Sequence, residues 1–161
     1  MWSLLVRRYE LKVVFNRKDA KSMMIEKLKA EDIPELLELY NTLIPFETSL
    51  DKAMDAYQEM LFDDNYLLLV AKENNIVIGS ALGICCKCLA VSFLVIEDVI
   101  VKDGLRGKGI GRKLMESLDE FAKRKHCAYA ILVSSAYRIE AHKFYEKAGF
   151  KDSVAGFRKL Y

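Results

Sequence analysis

The stretch VIVKDGLRGKGIGRKL, residues 99–114, decides the fold. It begins as an apolar run typical of a strand, passes through closely spaced glycines among cations, and continues with the spacing of a helix. Glycine allows a close backbone approach, and a helix N-terminus attracts anions through its free N–H groups and its dipole. The stretch therefore predicts a strand, a turn that binds an anion such as a phosphate, and a helix.

Two familiar phosphate-binding loops do not fit this turn. A Walker loop that starts at Gly104 requires a lysine after Gly109, where the sequence has Ile110. A dinucleotide fingerprint requires G-x-G-x-x-G, whereas Gly107, Gly109 and Gly111 alternate, and no suitable acidic residue ends the next strand. A purely structural interpretation remains as an alternative, in which the stretch is a tight strand-to-helix turn with a solvated basic rim.

The rest of the chain alternates between strand and helix patterns, which predicts an α/β domain with helices packed on a sheet. Strands are predicted at 24–29, on both sides of an Asn74–Asn75 hairpin turn within 65–86, at 91–101 and at 128–134, and the tail 149–161 could supply two more. Helices are predicted at 31–41, at 50–61, from Gly107 onward and from Tyr137 to Gly149. In the first helix, Asp32 and Glu35 have the spacing of a capping box.

Composition favours one ordinary globular domain. The chain has 161 residues, 52% of them apolar, and a net charge of only +2, which lacks the basic excess of a nucleic-acid binder. No run approaches the roughly 18 apolar residues of a membrane span, and the first residues do not form a secretory signal. We therefore expect a cytoplasmic protein that binds neither nucleic acid nor membrane, with an N-terminal extension at 1–23, as a strand or disordered, and a domain at 24–161.

The four cysteines do not indicate a metal site. Cys85, Cys86 and Cys88 crowd into one strand-like segment, where they cannot pair with one another, and only His126 stands beside Cys127. A structural zinc site requires separated pairs of Cys or His ligands. Free cysteine commonly behaves as a small buried apolar residue, and this interpretation is preferred.

The motifs together resemble a known family. Arg106-Gly107-Lys108-Gly109-Ile110-Gly111, preceded by the strand EDVIV (97–101), is similar to the R/Q-x-x-G-x-G/A signature of the GNAT superfamily of acyl-CoA-dependent N-acetyltransferases. The segment AHKFYEKAGF (141–150) resembles the second motif of that family, a helix that bears a tyrosine and ends in Gly-Phe. The resemblance implies a mixed, mostly antiparallel twisted sheet flanked by helices, in which splayed strands form an acyl-CoA cleft.

The resemblance also implies a site for acetyl-CoA as cosubstrate. Its pyrophosphate would rest on the amides from Gly107 to Arg112, and its pantetheine arm would pair with the backbone of the preceding strand. The implied binding residues are Val99, Ile100, Val101, Arg106, Gly107, Lys108, Gly109, Ile110, Gly111, Arg112 and Arg138. Arg138 stands where many members have an asparagine, which leaves its contact open.

Acetyl transfer to an amine requires a base, stabilisation of an oxyanion and a proton for the departing thiolate. The resemblance implies Tyr145 as the general acid. The structural alternative is that Tyr145 is only an aromatic residue of the core. Glu97 is the candidate base, with a structural carboxylate as its alternative; strand alternation predicts that Glu97 and Asp98 face opposite sides. A backbone N–H near Val99 would meet the oxyanion, and no cysteine has the adjacent base that an acyl-enzyme route requires.

The sequence therefore predicts an N-acetyltransferase that acts on a primary amine of a small molecule by direct attack. A protein N-terminus or lysine as acceptor, a non-catalytic acyl-CoA sensor, and a scaffold or dimer partner with a vestigial cleft remain alternatives. A homodimer is left open. Acceptor specificity is expected from the loop 41–49, with Phe46 and Glu47, and from the end of the chain.

Overall fold

The computed structural model describes residues 23–42, 48–152 and 154–160. The elements are β1 Met23–Lys27, a 3-10 turn at Ala30–Asp32, α1 Ile33–Tyr40, α2 Leu50–Leu61, β2 Tyr66–Glu73, β3 Ile76–Cys86, β4 Phe93–Val101, α3 Ile110–Arg124, β5 Ala130–Leu132 and α4 Ile139–Lys147. Among these residues, no helix is long and apolar enough to cross a membrane. Residues 1–22 of the predicted extension, and Phe46 and Glu47, lie outside the described residues.

The five strands form one sheet in the order β1-β2-β3-β4-β5. The first three pairings are antiparallel and the last, between β4 and β5, is parallel. Asn74 and Asn75 have φ angles of 53° and 65° and join β2 to β3 through the predicted two-residue turn. The predicted mixed, mostly antiparallel α/β fold is therefore confirmed.

Helices cover both faces of the sheet. The apolar stripe of α3 lies on one face, where Leu114 and Leu118 are fully buried, and α4 adds Tyr145 to the same core. On the other face, Leu36 and Leu39 of α1 pack against Ile100 of β4. Strand β4 is thus held between two cores, which fixes the strand that leads into the glycine turn.

The predicted capping box of α1 is wrong. The Asp32 side chain makes no capping hydrogen bond to α1; it accepts from the Lys29 backbone N–H and forms an ion pair with Lys72. The Glu35 carboxylate accepts from the Val77 N–H at 3.0 Å. Because Lys72 is only 4% exposed, its charge requires a buried partner. The ion pair of Asp32 with Lys72 is therefore favoured over a capping hydrogen bond from Asp32 to α1.

The end of the chain confirms one prediction and contradicts another. Gly149 ends α4 with a φ of 105°, as predicted, and the Phe150 N–H donates to the Tyr145 carbonyl at 3.0 Å. The two further strands proposed for the tail are wrong for residues 149–152 and 154–160, which contain no strand. Phe157 is 97% exposed there, so no apolar burial offsets the cost of ordering a strand.

Candidate active site

The cleft begins where β4 and β5 separate. Their parallel ladder pairs Leu94–Ile96 with Ala130–Leu132 and ends there. Beyond Ile96, β4 has no strand partner on that side among the described residues, while β3 continues to pair with it on the other side. The splay implied by the family resemblance is thus present, and the backbone of residues 99–101 follows the open edge.

Side chains of this segment serve packing, as expected. Ile100 is 4% exposed and lies in the core under α1, whereas Val99 and Val101 pack against the core under α3. The backbone groups of this segment that do not pair with β3 are therefore the atoms left to meet a ligand in the gap; the Val101 carbonyl also accepts from Nε of Arg106 at 3.4 Å. Such an edge can pair with an extended chain that carries amide groups.

The glycine turn is open. Gly107 and Gly109 have φ angles of 77° and 83°, and a Cβ built on either would meet no atom within 4 Å. Gly109 is the N-cap of α3, and the first bond that closes the helix runs from the Lys113 N–H to the Gly109 carbonyl at 3.1 Å. The N–H groups of Ile110 to Arg112 therefore have no carbonyl partner within the helix. They lie at a turn where the space beside Gly107 and Gly109 is open.

Cations surround this opening but are held only loosely. Arg106 contacts the Asp103 carboxylate at 2.8 Å, and Arg112 contacts Glu116 at 2.8 Å; both pairs are exposed to solvent. Lys108 is also exposed. Exposed pairs of this kind contribute little to stability, so an arriving phosphate can replace the carboxylates. In contrast, Ile110 is buried and anchors the start of α3 in the core.

Gly111 has a different role from the other two glycines. A Cβ at this position would lie 3.1 Å from Cζ of Phe144 and 3.3 Å from its Cε2. The absence of a side chain therefore lets α3 approach α4 closely. The two motifs recognised in the sequence meet at this contact.

Tyr145 lies beside that contact, on α4. Its ring is 9% exposed and contacts the rings of Phe144 and Phe150, with centroids 5.2 and 6.3 Å away. Burial raises the pKa of Tyr145, the Arg138 guanidinium opposes the rise, and the Glu97 carboxylate adds to it. The hydroxyl therefore stays protonated at neutral pH, as a general acid must.

A β-bulge interrupts β4 at the candidate base. The register with β3 jumps from Leu82–Glu97 to Ser80–Ile100, so β4 carries one extra residue, and Asp98 has a φ of 52°. Strict alternation therefore does not hold here and cannot place Glu97 and Asp98 on opposite faces. The Glu97 side chain is exposed, yet partial desolvation raises its pKa and the charge of Asp98 raises it further, which is the direction that suits a base.

Sequence reasoning missed Tyr40 and Ser80, which lie next to the bulge. The Ser80 hydroxyl is fully buried, donates to the Leu69 carbonyl at 2.9 Å, and lies 3.2 Å from the Tyr40 hydroxyl. Burial raises the pKa of Tyr40, and the Asp98 charge adds to the rise. No local pattern marks these residues, because a helix end and a mid-strand serine become neighbours only through tertiary packing.

The cysteines take no part in this arrangement. Sγ of Cys127 lies 3.7 Å from Sγ of Cys85, on the segment that precedes β5. Burial, followed by the contact with Cys85, raises the pKa of Cys127 to about 11. A thiol with such a pKa is a poor nucleophile at neutral pH.

Comparison with known sequences decides the family, because residues 31–150 match the Acetyltransferase (GNAT) family. The chain belongs to the GNAT family. This GNAT protein is 29% identical over 136 residues to the uncharacterized N-acetyltransferase YhdJ of Bacillus subtilis, covering 81% of this chain and 89% of that one.

A local match and a solved structure agree with the family assignment. Glucosamine 6-phosphate N-acetyltransferase of Trypanosoma brucei brucei is 43% identical over 56 residues, and the match covers 35% of this GNAT chain and only 36% of that relative. A solved structure of a putative acetyltransferase from Agrobacterium tumefaciens superposes with a TM-score of 0.77 at 27% identity, covering 85% and 99% of the two chains.

Proposed function

We propose that this GNAT protein transfers an acetyl group from acetyl-CoA directly to a primary amine of a small molecule. One observation carries the proposal: the open glycine turn at the start of α3 continues into the unpaired edge of β4. A pyrophosphate and an amide-bearing arm, the two parts of coenzyme A, match these two features in order. Acetyl-CoA supplies the activated acetyl group when it is bound.

Residues of the chain bind the pyrophosphate and carry out the two proton transfers. The free N–H groups of Ile110 to Arg112 bind the pyrophosphate, assisted by Arg106 and Lys108. Glu97 accepts a proton from the incoming amine, and Tyr145 holds the proton that the departing thiolate requires. The raised pKa of each group suits its role, because Glu97 gains basicity and Tyr145 retains its proton.

The proposal that the acceptor is a small molecule rests on relatives whose names specify such amines. Glucosamine 6-phosphate and aminoalkylphosphonate occur in the names of curated relatives, and aminoglycoside occurs in the name of a solved structure that shares the fold. A protein N-terminus or lysine, a non-catalytic acyl-CoA sensor and a vestigial scaffold are the competing functions. The raised pKa of Glu97 favours catalysis over a sensor, since a sensor needs no base.

Release of free coenzyme A thiol from acetyl-CoA tests the proposal. The purified protein is given acetyl-CoA with glucosamine 6-phosphate, aminoethylphosphonate, an aminoglycoside or a lysine-containing peptide. Amine-dependent thiol release with a small molecule supports the proposal, and release with the peptide alone contradicts the acceptor class. Coenzyme A binding without release under any condition supports a sensor, and absence of binding supports a scaffold.

A further inference from the structure

A cavity of about 440 Å³ lies at the edge of the sheet where β1 ends and β2 begins. Strand β1 ends at Lys27, opposite Leu69, so the first residues of β2 extend beyond it. Leu67 packs in the core under α3 and Leu68 in the core under α1, and both line the cavity, which therefore takes side chains from both faces of the sheet. Its volume lies within the range of small-molecule sites, roughly 300–1,000 Å³.

The cavity is separate from the proposed coenzyme A cleft. That cleft opens between β4 and β5, at the opposite edge of the five-stranded sheet from β1. The cavity is bordered by the C-terminal end of α3, with Phe121, Arg124 and Lys125, whereas the glycine turn lies at the N-terminal end of the same helix. Because a helix rises about 1.5 Å per residue, the 15 residues of α3 place the two ends about 20 Å apart. A ligand in the cavity would therefore not overlap coenzyme A.

Aromatic and aliphatic side chains form most of the cavity wall. The end of α2 contributes Leu61 and Phe62, which are 55% and 85% exposed. Tyr57, Tyr66 and Phe121 add further rings. Contiguous exposed apolar surface of this kind marks ligand-binding grooves and partner surfaces. A flat apolar body would cover these side chains and release the water that now contacts them.

Among the residues that the structure describes, three cations and two carboxylates also line the cavity, and both carboxylates already have donors. Asp64 forms an ion pair with Lys125 at 2.9 Å. Oδ1 of Asp63 accepts from the backbone N–H of Asn65 at 2.9 Å and from Nδ2 of the same residue at 2.8 Å. These contacts leave two cations, Lys27 and Arg124, to be accounted for.

Lys27 and Arg124 pair with no carboxylate of residues 23–42, 48–152 and 154–160, and both residues are exposed. The guanidinium of Arg124 lies over the Phe121 ring, 5.9 Å from its centroid, so a cation and a ring stand together in the cavity wall. An anion that enters the cavity would thus meet two cations for which no carboxylate competes. Charge-assisted hydrogen bonds to such an anion are the strong kind.

We propose that this cavity binds a small organic acid with an aromatic body, whose anionic group is held by Lys27 and Arg124 and whose ring packs against Phe62 and Phe121. Lys and Arg donate hydrogen bonds and accept none, so the two cations select an anion over a neutral molecule of the same shape. The site is independent of the proposed acetyl transfer, because it uses none of the residues that would bind coenzyme A or move a proton.

Fluorescence titration with anilinonaphthalene sulfonate tests the site. This probe is a flat aromatic monoanion that becomes fluorescent in apolar surroundings, and phenylnaphthylamine is a neutral molecule of similar shape. Both probes are titrated into the full-length protein in the absence and in the presence of saturating coenzyme A. The wild-type protein is expected to bind the sulfonate, and coenzyme A should change that affinity by no more than about twofold, because the two sites lie about 20 Å apart.

Lys27→Gln and Arg124→Gln each remove one cation and keep most of the side chain. Each should weaken binding of the sulfonate about tenfold, the loss expected for one charge-assisted hydrogen bond, while the affinity for phenylnaphthylamine stays within about twofold. Phe62→Ser should weaken both probes about fivefold, because it removes apolar surface that either probe covers. All three residues are exposed, so the midpoint of urea unfolding should not change. Lys151→Gln, which removes an exposed cation beyond α4, is the control and should bind both probes as the wild type does.

An unchanged affinity for the sulfonate in both cation variants would overturn the inference. Displacement of the sulfonate by coenzyme A, an equal loss in Lys151→Gln, or a wild-type protein that does not bind the sulfonate would overturn it as well. Failure of the proposed function is a separate result, seen as the absence of thiol release from acetyl-CoA. It would not affect the titrations, since they require no turnover and are also performed without coenzyme A.

Discussion

The ring of Phe144 packs directly against the backbone of Gly111, so closely that a Cβ at Gly111 would lie 3.1 Å from Cζ of the ring. This contact joins the N-terminus of α3, where the pyrophosphate is proposed to bind, to the helix that carries Tyr145. Gly107 and Gly109 have open space instead. The glycine-rich turn therefore combines a binding function with a packing function.

Gly111→Ala should lower both stability and turnover. The added methyl group must displace Phe144, and overpacking of this kind costs about 1–3 kcal/mol, more than the helix gains from replacing glycine, about 0.5–1 kcal/mol. Because Tyr145 follows Phe144 in the chain, its hydroxyl should also shift and kcat should fall. Urea unfolding and thiol release measure the two effects. The double variant with Phe144→Leu should recover stability; a single variant more stable than wild type would contradict this packing role.

Tyr145→Phe should lower kcat about a hundredfold, within the usual range for loss of a positioned acid. Its aromatic contacts with Phe144 and Phe150 are retained, so the unfolding midpoint and the affinity for coenzyme A should be unchanged. Steady-state thiol release and calorimetry provide the measurements. Tyr137→Phe, an exposed tyrosine ahead of α4, is the matched control. Full turnover in Tyr145→Phe would remove the acid assignment.

The pH profile of the wild-type enzyme should reflect the Glu97 carboxylate. A base works only when deprotonated, so kcat/KM should rise with pH through the pKa of Glu97, which burial and then Asp98 place above that of an ordinary glutamate. The charge of Glu97 also contributes to the raised pKa of Tyr145. Glu97→Gln should lower kcat/KM and flatten this acidic limb. An unchanged limb in the variant would assign the ionisation to another group.

Asp32→Asn should destabilise the fold without altering the cleft. Lys72 is 4% exposed and, within the described part of the chain, would retain only Glu26, 3.0 Å away, as a charged partner. Loss of one partner from a buried ion pair costs about 3–5 kcal/mol, and the remaining Glu26 should hold the loss near the lower end. Urea unfolding checks this value. Glu120→Gln, which breaks the exposed pair with Lys123, should leave the unfolding curve unchanged; equal losses in both variants would refute the role of burial.

Local sequence signals predicted the elements that depend on local chemistry. The Asn74–Asn75 turn requires two residues that tolerate positive φ, and Gly149 ends α4 for the same reason. The glycine turn between β4 and α3 was predicted because glycine spacing and flanking cations are visible in one short stretch. The apolar stripe of α3 likewise follows from its spacing.

Features set by distant parts of the chain could not be predicted in this way. The Asp98 bulge arises from how β3 and β4 pair, and the sequence around it reads as one uninterrupted strand. Asp32 resembles a helix cap until Lys72, forty residues away, is brought beside it. The tail has strand-like composition but no partner that would bury it among the described residues. In each case tertiary contacts overrode a valid local preference.

The most direct test of the central claim compares coenzyme A with pantetheine by titration calorimetry on the wild-type protein. The two ligands share the arm proposed to follow β4, and only coenzyme A carries the pyrophosphate proposed to bind at the start of α3. We expect coenzyme A to bind and pantetheine to bind at least about a hundredfold more weakly, as the loss of several charge-assisted hydrogen bonds requires. Equal affinities, or no binding of coenzyme A, would contradict the account.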